Sequence, residues 1–308
     1  MKAVELKNIV KTYPANNSVI TAVDDISFSV EEGELFGLIG PDGTGKTSIF
    51  RILTTLLLAD KGTANVLGLD VVRDYKNIRD IVGYMPGRFS LYQDLSVEEN
   101  LEFFATIFNT TIEANYELVA DIYKQLEPFK SRRAGKLSGG MKQKLALCCA
   151  LIHKPKILFL DEPTTGVDPV SRKEFWEMLK RLKTQGISIL VSTPYMDEAK
   201  LCDRIALLQE GKIMKIDSPE NIVSQFDKKL YSVRSENMFK LLIDLREYPN
   251  TEGCFAFGEN HHLTLNDDSK PVMELEEYLK STGHLKISIN KIDPGVEDCF
   301  MRLMKSKS

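Results

Sequence analysis

The sequence predicts an α/β protein whose first part contains a mostly parallel sheet. Apolar runs rich in β-branched residues occur at 34–40, 156–160 and 187–193, and each has the length and the bounds of a buried strand. Segments 46–58 and 174–184 have helical periodicity instead. Because strands alternate with helices of this length, we expect βαβ crossovers and parallel pairing.

A helical insert interrupts this alternation. From about 96 to 153 the apolar residues recur at helical spacing, and no segment is convincing as a strand. The alternation resumes at 156, and segment 207–216 resembles a hairpin that turns at Glu210 and Gly211. This hairpin closes the first domain near Pro219.

The rest of the chain predicts a small α+β domain. Its strand candidates are 231–234, 254–257, 262–265 and 286–289, and its helix candidates are 238–245 and 272–279. A length of 308 residues suits two domains, at roughly 100–200 residues each. We therefore assign 1–218 to a first domain, with a helical subdomain at about 88–154, and 219–308 to a C-terminal accessory domain.

The composition excludes several classes of protein. Forty Lys and Arg against 44 Asp and Glu leave a net charge of −4, which gives no electrostatic footprint for nucleic acid. The five cysteines form no C-x-x-C pair, so we interpret them as reduced thiols. The N-terminus lacks a secretory apolar segment, and no window reaches the roughly 18 apolar residues of a membrane helix. We therefore expect a cytoplasmic protein that does not itself span a membrane.

The strongest local signal is GPDGTGKT at 40–47, between a buried strand and a helix. Its glycines let backbone N–H groups turn inward around phosphate oxygens, and the helix N-terminus adds a positive dipole. We expect Lys46 to reach the β- and γ-phosphates and Thr47 to ligate Mg²⁺. A glycine-rich turn that matches by chance is the alternative, and the strand and helix in register argue against it.

A second signal is ILFLDE at 157–162. The strand delivers Asp161 at its carboxyl end, where a carboxylate can hold Mg²⁺, and Glu162 is placed to polarise an attacking water. An Asp-Glu pair after an apolar run is usually only the end of a strand. Its pairing with the phosphate loop favours the functional interpretation.

The third signal is LSGGM at 137–141, directly before a helix predicted at 142–152. Ser138 and the two glycines offer a second anion-binding helix N-terminus. Alone, a serine at this place is more often an ordinary N-cap. The order and spacing of the three motifs favour the functional interpretation.

Together the three motifs resemble the ATP-binding subunit of an ABC transporter, over about 1–218. The resemblance implies a P-loop NTPase (RecA-like) core with a β-rich N-terminal portion and an α-helical subdomain. It adds Tyr13 as the aromatic residue that stacks on adenine, and TGVDP at 165–169 as the loop that signals between subunits. The residues expected to contact ATP are Tyr13, Gly40, Pro41, Asp42, Gly43, Thr44, Gly45, Lys46, Thr47, Ser48, Ser138, Gly139 and Gly140.

The resemblance also implies partners. Two such domains sandwich two ATP molecules, so that each site uses the phosphate loop of one chain and the LSGGM of the other. The helical insert contacts membrane permease subunits, which would hold the chain on the inner face of the cell membrane. GPDG, LSGGMKQKL, GVDPVSRKEFW and the tail PGVEDCFMRLM at 294–304 resemble the drug-exporter and tandem-ATPase efflux group.

Two positions depart from the family pattern. Gly87 stands where the family places a glutamine that binds Mg²⁺ and the lytic water, and Pro194 stands where it places a histidine that contacts the γ-phosphate. The nearest downstream glutamine is Gln93, and no histidine occurs from 154 to 260. Since both changes affect the same chemical step, we predict that the chain binds MgATP and hydrolyses it slowly. Compensation by other groups is the alternative.

The intact LSGGM suggests a role in a partner's site. We favour a heterodimer with a second ABC ATPase on a separate chain that supplies the missing groups, and a homodimer stays possible. A catalytically silent assembly or regulatory subunit is the main alternative. A soluble ABC ATPase acting on ribosomes or DNA is disfavoured by the charge and the single ATPase domain. The adjacent His261 and His262 are interpreted as a solvated strand edge, not a metal site.

Overall fold

The structure, a computed structural model, describes residues 1–15, 18–87, 91–267 and 272–305. The chain forms two compact units, Met1–Ser218 and Pro219–Ser308. The bound of the helical subdomain expected at 88 lies outside the described residues.

Strands and helices alternate through most of the first unit. Its strands are β1 (Lys2–Ala15), β2 (Ser18–Glu31), β3 (Leu35–Ile39), β4 (Lys61–Val66), β5 (Leu69–Asp70), β6 (Val82–Met85), β7 (Ile157–Asp161), β8 (Ser188–Thr193), β9 (Arg204–Gln209) and β10 (Lys212–Asp217). Its α-helices are α1 (Lys46–Leu53), α2 (Tyr75–Ile81), α3 (Val97–Ile107), α4 (Tyr116–Tyr123), α5 (Gly139–Leu151) and α6 (Pro169–Thr184).

Two sheets build the first unit. A six-stranded sheet has the order β10-β9-β3-β8-β7-β6, and only its β9–β10 pair is antiparallel. A four-stranded antiparallel sheet has the order β2-β1-β4-β5. The predicted α/β class with a mostly parallel sheet is confirmed, and the antiparallel sheet is the β-rich N-terminal portion.

The central strands are buried along their whole length, because both faces of the parallel sheet are covered. On one face, residues of α1 and of the antiparallel sheet share a buried cluster with it. Every residue of β3, β7 and β8 is buried. On the inner side of α1, the ring of Phe50 meets that of Phe159 in β7 edge-on, with centroids 6.1 Å apart. This packing fixes α1 against the sheet, directly behind the segment 40–47.

Helices α3, α4 and α5 form the predicted helical insert. Helix α3 begins with a capping box, in which Ser96 and Glu99 satisfy each other's backbone N–H groups. Apart from a single bridge between Ser96 and Arg133, no strand pairing occurs in the described part of the insert.

Two helix bounds differ from the periodicity of the sequence. Helix α1 ends at Leu53 and not near 58, because Thr55 adopts a left-handed φ of 63°. Helix α6 begins at Pro169, ahead of the apolar periodicity at 174. Asp168 caps it by accepting from two backbone N–H groups, and proline is well suited to the first helical position.

The second unit is an antiparallel sheet with helices. Its strands are β11 (Leu230–Arg234), β12 (Thr251–Phe257), β13 (Asn260–Leu265) and β14 (Ser288–Ile292), in the order β12-β13-β11-β14. Its helices are α7 (Pro219–Ser224), α8 (Met238–Glu247), α9 (Val272–Ser281) and α10 (Val296–Lys305). Apolar residues of α8 and α9 share one buried cluster with the sheet.

The interpretation of His261 and His262 as a solvated strand edge is wrong. They lie in β13, an inner strand. His261 is 4% exposed and its Nε2 lies 2.7 Å from the carbonyl oxygen of Met238, while Nδ1 of His262 lies 2.7 Å from Oδ1 of Asp298. The two side chains point to opposite faces of the strand, as expected, but both find partners that the local sequence does not show.

Candidate functional site

The segment 40–47 joins the end of β3 to the first turn of α1. A Cβ on Gly40 would lie 2.4 Å from the carbonyl oxygen of Leu208, and one on Gly45 would lie 2.1 Å from that of Ala22. Gly45 also has a left-handed φ of 94°. The backbone of this phosphate loop therefore lies so close to its neighbours that only glycine fits at these two positions.

The side chain of Lys46 folds back over the loop. Its Nζ donates to the carbonyl oxygens of Gly40 (2.8 Å) and Pro41 (2.9 Å) and lies 3.3 Å from Oε1 of Glu162. Only 3% of the lysine side chain is exposed. The fold thus brings a buried ammonium group, the loop and the candidate catalytic carboxylate together.

Asp161 and Glu162 lie at the carboxyl end of β7, where Ser192 of the adjacent β8 contacts both. Ser192 Oγ donates to Oδ1 of Asp161 (2.8 Å) and accepts from the backbone N–H of Glu162 (2.9 Å). Glu162 has a φ of 51°, which is uncommon outside glycine and typical of functional sites. Burial, and then the charge of Asp161, raises the pKa of Tyr84 to about 12, so this neighbouring phenol stays uncharged.

The two departures from the family pattern border this group. A Cβ on Gly87 would lie 3.1 Å from the carbonyl oxygen of Asp161. Pro194 directly follows Thr193, the last residue of β8, whose carbonyl oxygen accepts from the N–H of Gly40 (3.3 Å). These two points of the site therefore carry neither a glutamine amide nor an imidazole.

Gln93 makes its contacts elsewhere. Its side-chain Nε2 donates to the carbonyl oxygen of Leu91 (3.4 Å), and its backbone carbonyl oxygen accepts from the N–H of Gly135 (2.8 Å). Both partners lie in the region of the helical insert, and in the part of the chain that the structure describes no hydrogen bond joins Gln93 to Asp161, Glu162 or the phosphate loop.

Sequence reasoning missed a buried carboxylate beside this site, Glu198, which is 2% exposed. Its Oε2 accepts from Thr164 Oγ1 (3.1 Å) and Thr193 Oγ1 (2.5 Å). Its Oε1 accepts from Nε of Arg172 and lies 3.0 Å from Nη2 of the same guanidinium. That guanidinium also lies over the ring of Tyr195, 4.1 Å from its centroid. No local motif predicts this network, because its members come from four separate elements.

Of the other predicted site residues, Tyr13 reaches α1 from β1: its hydroxyl lies 3.0 Å from Ser48 Oγ. Thr44 is buried and its Oγ1 donates to the carbonyl oxygen of Pro41 (3.0 Å), while Thr47 is half-buried. The exposed residues of the loop are Pro41, Asp42 and Gly43.

The LSGGM segment begins α5. Ser138 caps this helix by accepting from the N–H of Met141 (3.3 Å), so the ordinary N-cap geometry is present. Gly140 packs on α6 so closely that a Cβ would lie 2.4 Å from Ser171 Oγ, whereas Ser138 and Gly139 are exposed. Among the described residues no hydrogen bond or ion pair joins this segment to the phosphate loop.

An apolar groove of about 410 Å³ lies beside the helical insert. Its lining comes from the segment after α1, from α2 and β6, and from helices α3 and α5. Leu56 and Ile107 at its surface are 58% and 54% exposed. Inside it, the rings of Phe108 and His153 stack with centroids 3.7 Å apart, and burial lowers the pKa of His153, which favours the uncharged ring.

A search of the described ranges finds no helix that combines the length and the apolar character needed to cross a bilayer.

Comparisons with known proteins agree with one another. A family model described as ABC transporter matches residues 23–165. The probable multidrug ABC transporter ATP-binding protein YbhF of Escherichia coli is 37% identical over 305 residues, which are 98% of this chain and 52% of that protein. Nod factor export ATP-binding protein I of Mesorhizobium japonicum is 36% identical over 305 residues, 98% of this chain and 86% of that protein. The chain thus spans about half the length of the first relative and most of the second.

Solved structures show the same fold. A dimeric, post-hydrolysis state of the ATP-binding cassette MJ0796, bound to ADP and Pi, has a TM-score of 0.64 and 26% identity, and the match covers 70% of this chain and 98% of that one. A nucleotide-free ATP-binding cassette from an ABC transporter has a TM-score of 0.61 and 25% identity, over 73% and 96% of the two chains. This likeness confirms the predicted P-loop NTPase core.

Proposed function

This chain belongs to the family of ABC transporter ATP-binding proteins, and we propose that it is the ATP-binding subunit of an exporter that acts through membrane permease subunits. The main support for ATP binding is the position of Lys46. Its buried Nζ lies on the phosphate loop and 3.3 Å from Oε1 of Glu162. Export is supported by the names of two relatives, one a probable multidrug transporter protein and one a Nod factor export protein.

The residues present fit MgATP. The glycine-rich loop before α1 and the ammonium of Lys46 suit the phosphates, and Tyr13 suits the base. Thr47 and Asp161 would hold Mg²⁺, since hydroxyl and carboxylate oxygens are ligands that this ion prefers. Bound Mg²⁺ neutralises charge on the phosphates. Ser192 fixes the carboxylate of Asp161 in place by the 2.8 Å hydrogen bond from its hydroxyl.

The same site is built for slow hydrolysis. Glu162 is present to polarise a water, but the backbone at Gly87 and Pro194 offers no side-chain donor or acceptor to position that water or the γ-phosphate. Positioned polar groups of this kind commonly contribute about 2.7–4 kcal/mol to a transition state while adding little to ground-state binding.

A second ATP-binding domain would complete both sites of the dimer. We favour a domain different from this one, because Ser138 and the two glycines after it are intact and exposed in part, while this chain's own hydrolytic positions are degenerate. In such a pair the LSGGM of this chain would act in the partner's site. A homodimer is the alternative, and it would contain two sites with the same deficit.

The apolar groove beside α3 and α5 is our candidate for the permease contact. It is wide enough for a few side chains, and its exposed rim residues Leu56 and Ile107 offer apolar surface that a partner would cover. Occupation of this groove would hold the chain at the inner face of the cell membrane.

A catalytically silent assembly or regulatory subunit is the second candidate function. Gly87 and Pro194 favour it, because both groups that act on the lytic step are missing. The ion pair of Glu162 with Lys46 argues against a complete loss of hydrolysis, since the carboxylate is kept at the phosphate loop.

The test is ATP binding and ATP turnover of the chain and of Gly87→Gln, Pro194→His and the double variant. We expect binding without appreciable turnover in the unmodified chain, and turnover higher by about 100-fold or more in the double variant. A Cβ at 87 would lie 3.1 Å from a carbonyl oxygen, so the single Gly87→Gln change also needs a shift of a few tenths of an ångström.

Glu162→Gln in the double variant is the matched control, and it should abolish the gain while ATP still binds. Brisk turnover of the unmodified chain would contradict the degenerate site. No gain in the double variant together with normal binding would favour the silent subunit.

A further inference from the structure

We propose that Asp60 positions Tyr13 and thereby determines how well the chain recognises the adenine base. Asp60 belongs to none of the sequence motifs and lies between α1 and β4, one residue before β4 begins. The inference rests on the proposed function, because it takes ATP as the ligand of the phosphate loop.

Strand β1 is irregular immediately before Tyr13. Its register against β2 shifts between Ile9 and Lys11 and again between Lys11 and Thr12, and Tyr13 then pairs with Ile20. Shifts of this kind bend a strand and change the direction of the side chains that follow. The direction of the Tyr13 ring is therefore set by the conformation of Lys11 and Thr12.

Asp60 holds that conformation with both of its carboxylate oxygens. Oδ1 accepts from Lys11 Nζ (2.7 Å), and Oδ2 accepts from both the backbone N–H and the Oγ1 of Thr12 (2.7 Å each). The backbone N–H of Asp60 in turn donates to the carbonyl oxygen of Val10 (2.8 Å). The hydrogen bonds from Lys11 and then Thr12 lower the pKa of Asp60 to about 2, so the carboxylate is charged throughout the neutral range.

Tyr13 is held at its other end too. Its hydroxyl lies 3.0 Å from Oγ of Ser48, in the first turn of α1, and the ammonium of Lys11 lies 5.8 Å from its ring centroid. The ring thus lies between the irregular part of β1 and the helix that follows the phosphate loop. A flat base stacks well only on a ring whose plane is fixed, so losing the anchor at Asp60 should weaken the base contact and leave the phosphate contacts intact.

The experiment compares dissociation constants for ATP and for inorganic tripolyphosphate, which lacks a base. The chains are the unmodified protein, Asp60→Asn, Tyr13→Ala and the double variant. Tyr13→Ala should weaken ATP binding by about 10-fold to 100-fold, the usual range for a lost stacking contact. Asp60→Asn should weaken it by about 5-fold or more, leave tripolyphosphate within about 2-fold, and add nothing in the Tyr13→Ala background.

Glu5→Gln is the matched control. Glu5 lies on the same strand, and its carboxylate likewise joins two neighbours, Lys2 at 2.6 Å and Lys7 at 2.9 Å. This variant should leave both dissociation constants unchanged. Thr12→Val is a milder second variant, since it removes only one of the three hydrogen bonds to Asp60, and it should shift ATP binding in the same direction by less.

The outcomes separate the two proposals. Three results for Asp60→Asn would overturn the role of Asp60. The variant could weaken the binding of ATP and of tripolyphosphate equally, leave ATP binding unchanged, or weaken ATP binding as much in the Tyr13→Ala background as in the unmodified chain. Failure of the unmodified chain to bind either ligand would overturn the proposed function, and this inference with it. Melting curves of every variant show that the proteins compared are folded.

Discussion

At the scale of single residues, Glu198 shows how a buried charge can organise a site without belonging to a motif. Glu198 is 2% exposed. Its carboxylate accepts hydrogen bonds from the loop after Glu162 (Thr164), from the end of β8 (Thr193) and from α6 (Arg172). Because a buried carboxylate is costly unless it is paired and hydrogen-bonded, these three segments and the segment of Glu198 itself are energetically linked.

We predict that Glu198→Ala lowers the free energy of unfolding by about 3 kcal/mol, because it removes the buried acceptor that Arg172 and two buried hydroxyls share. Asp197→Ala is the control. Asp197 contacts the same guanidinium at 3.3 Å but is 69% exposed, so its loss should change stability by less than about 0.5 kcal/mol. Urea denaturation measures both, and equal losses would refute the special role of the buried carboxylate.

At the scale of elements, the contact of α5 with α6 explains one glycine of the LSGGM segment. A Cβ on Gly140 would lie 2.4 Å from Oγ and 2.7 Å from Cβ of Ser171. The Oγ could rotate away, but the Cβ could not, so the helices would have to separate. The start of α5 is thereby kept in close contact with α6, next to the segment 165–169.

We therefore predict that Gly140→Ala destabilises the chain by about 1–3 kcal/mol, although alanine is otherwise the better helix former. Gly139→Ala, whose Cβ would meet only a carbonyl oxygen at 3.4 Å, should be neutral within about 0.5 kcal/mol. Ser171→Gly should relieve part of the Gly140→Ala loss. Strict additivity of the two changes in thermal unfolding would count against this contact.

At the scale of the whole molecule, the groove beside the helical insert is the feature that the fold creates from distant segments. Residues near 55, 80, 105 and 150 of the chain line it, and its apolar rim is solvent-exposed. Exposed apolar surface of this kind typically marks an interaction site. It lies in the first unit, so the same unit carries both the residues proposed to bind the nucleotide and the proposed permease contact.

Leu56→Asp should lower the amount of chain bound to salt-washed membranes of the source cells by about 10-fold or more, because a charge would then have to be buried at the contact. ATP binding should stay within about 2-fold. Leu58→Asp is the control: Leu58 is comparably exposed, at 64%, but does not line the groove. Equal loss for both variants would contradict a specific contact at the groove.

A structural feature can be predicted from local sequence when the atoms that it contacts belong to residues nearby in the chain. The strand and helix around 40–47, and the carboxylates at the carboxyl end of β7, were predictable because glycine conformations, apolar runs and helix starts depend on neighbours in the chain. The hairpin turn at Glu210 and Gly211 was predictable for the same reason, and both residues have positive φ. The start of α6 was not, since its first turn carries no apolar periodicity and depends on the cap at Asp168.

By itself the sequence determined the α/β class, the strands and helices next to the three motifs and the residues of the phosphate loop, because each of these depends on contacts within a few residues. It also determined that position 87 is a glycine and position 194 a proline. Only the tertiary structure decided that Gly87 borders Asp161 and that Pro194 follows a residue bonded to the phosphate loop. The same holds for the contacts of Glu198 with three other segments and for the anchor that Asp60 gives the strand before Tyr13. The physical reason is that charges and hydrogen bonds act over a few ångströms in space, whatever their separation along the chain.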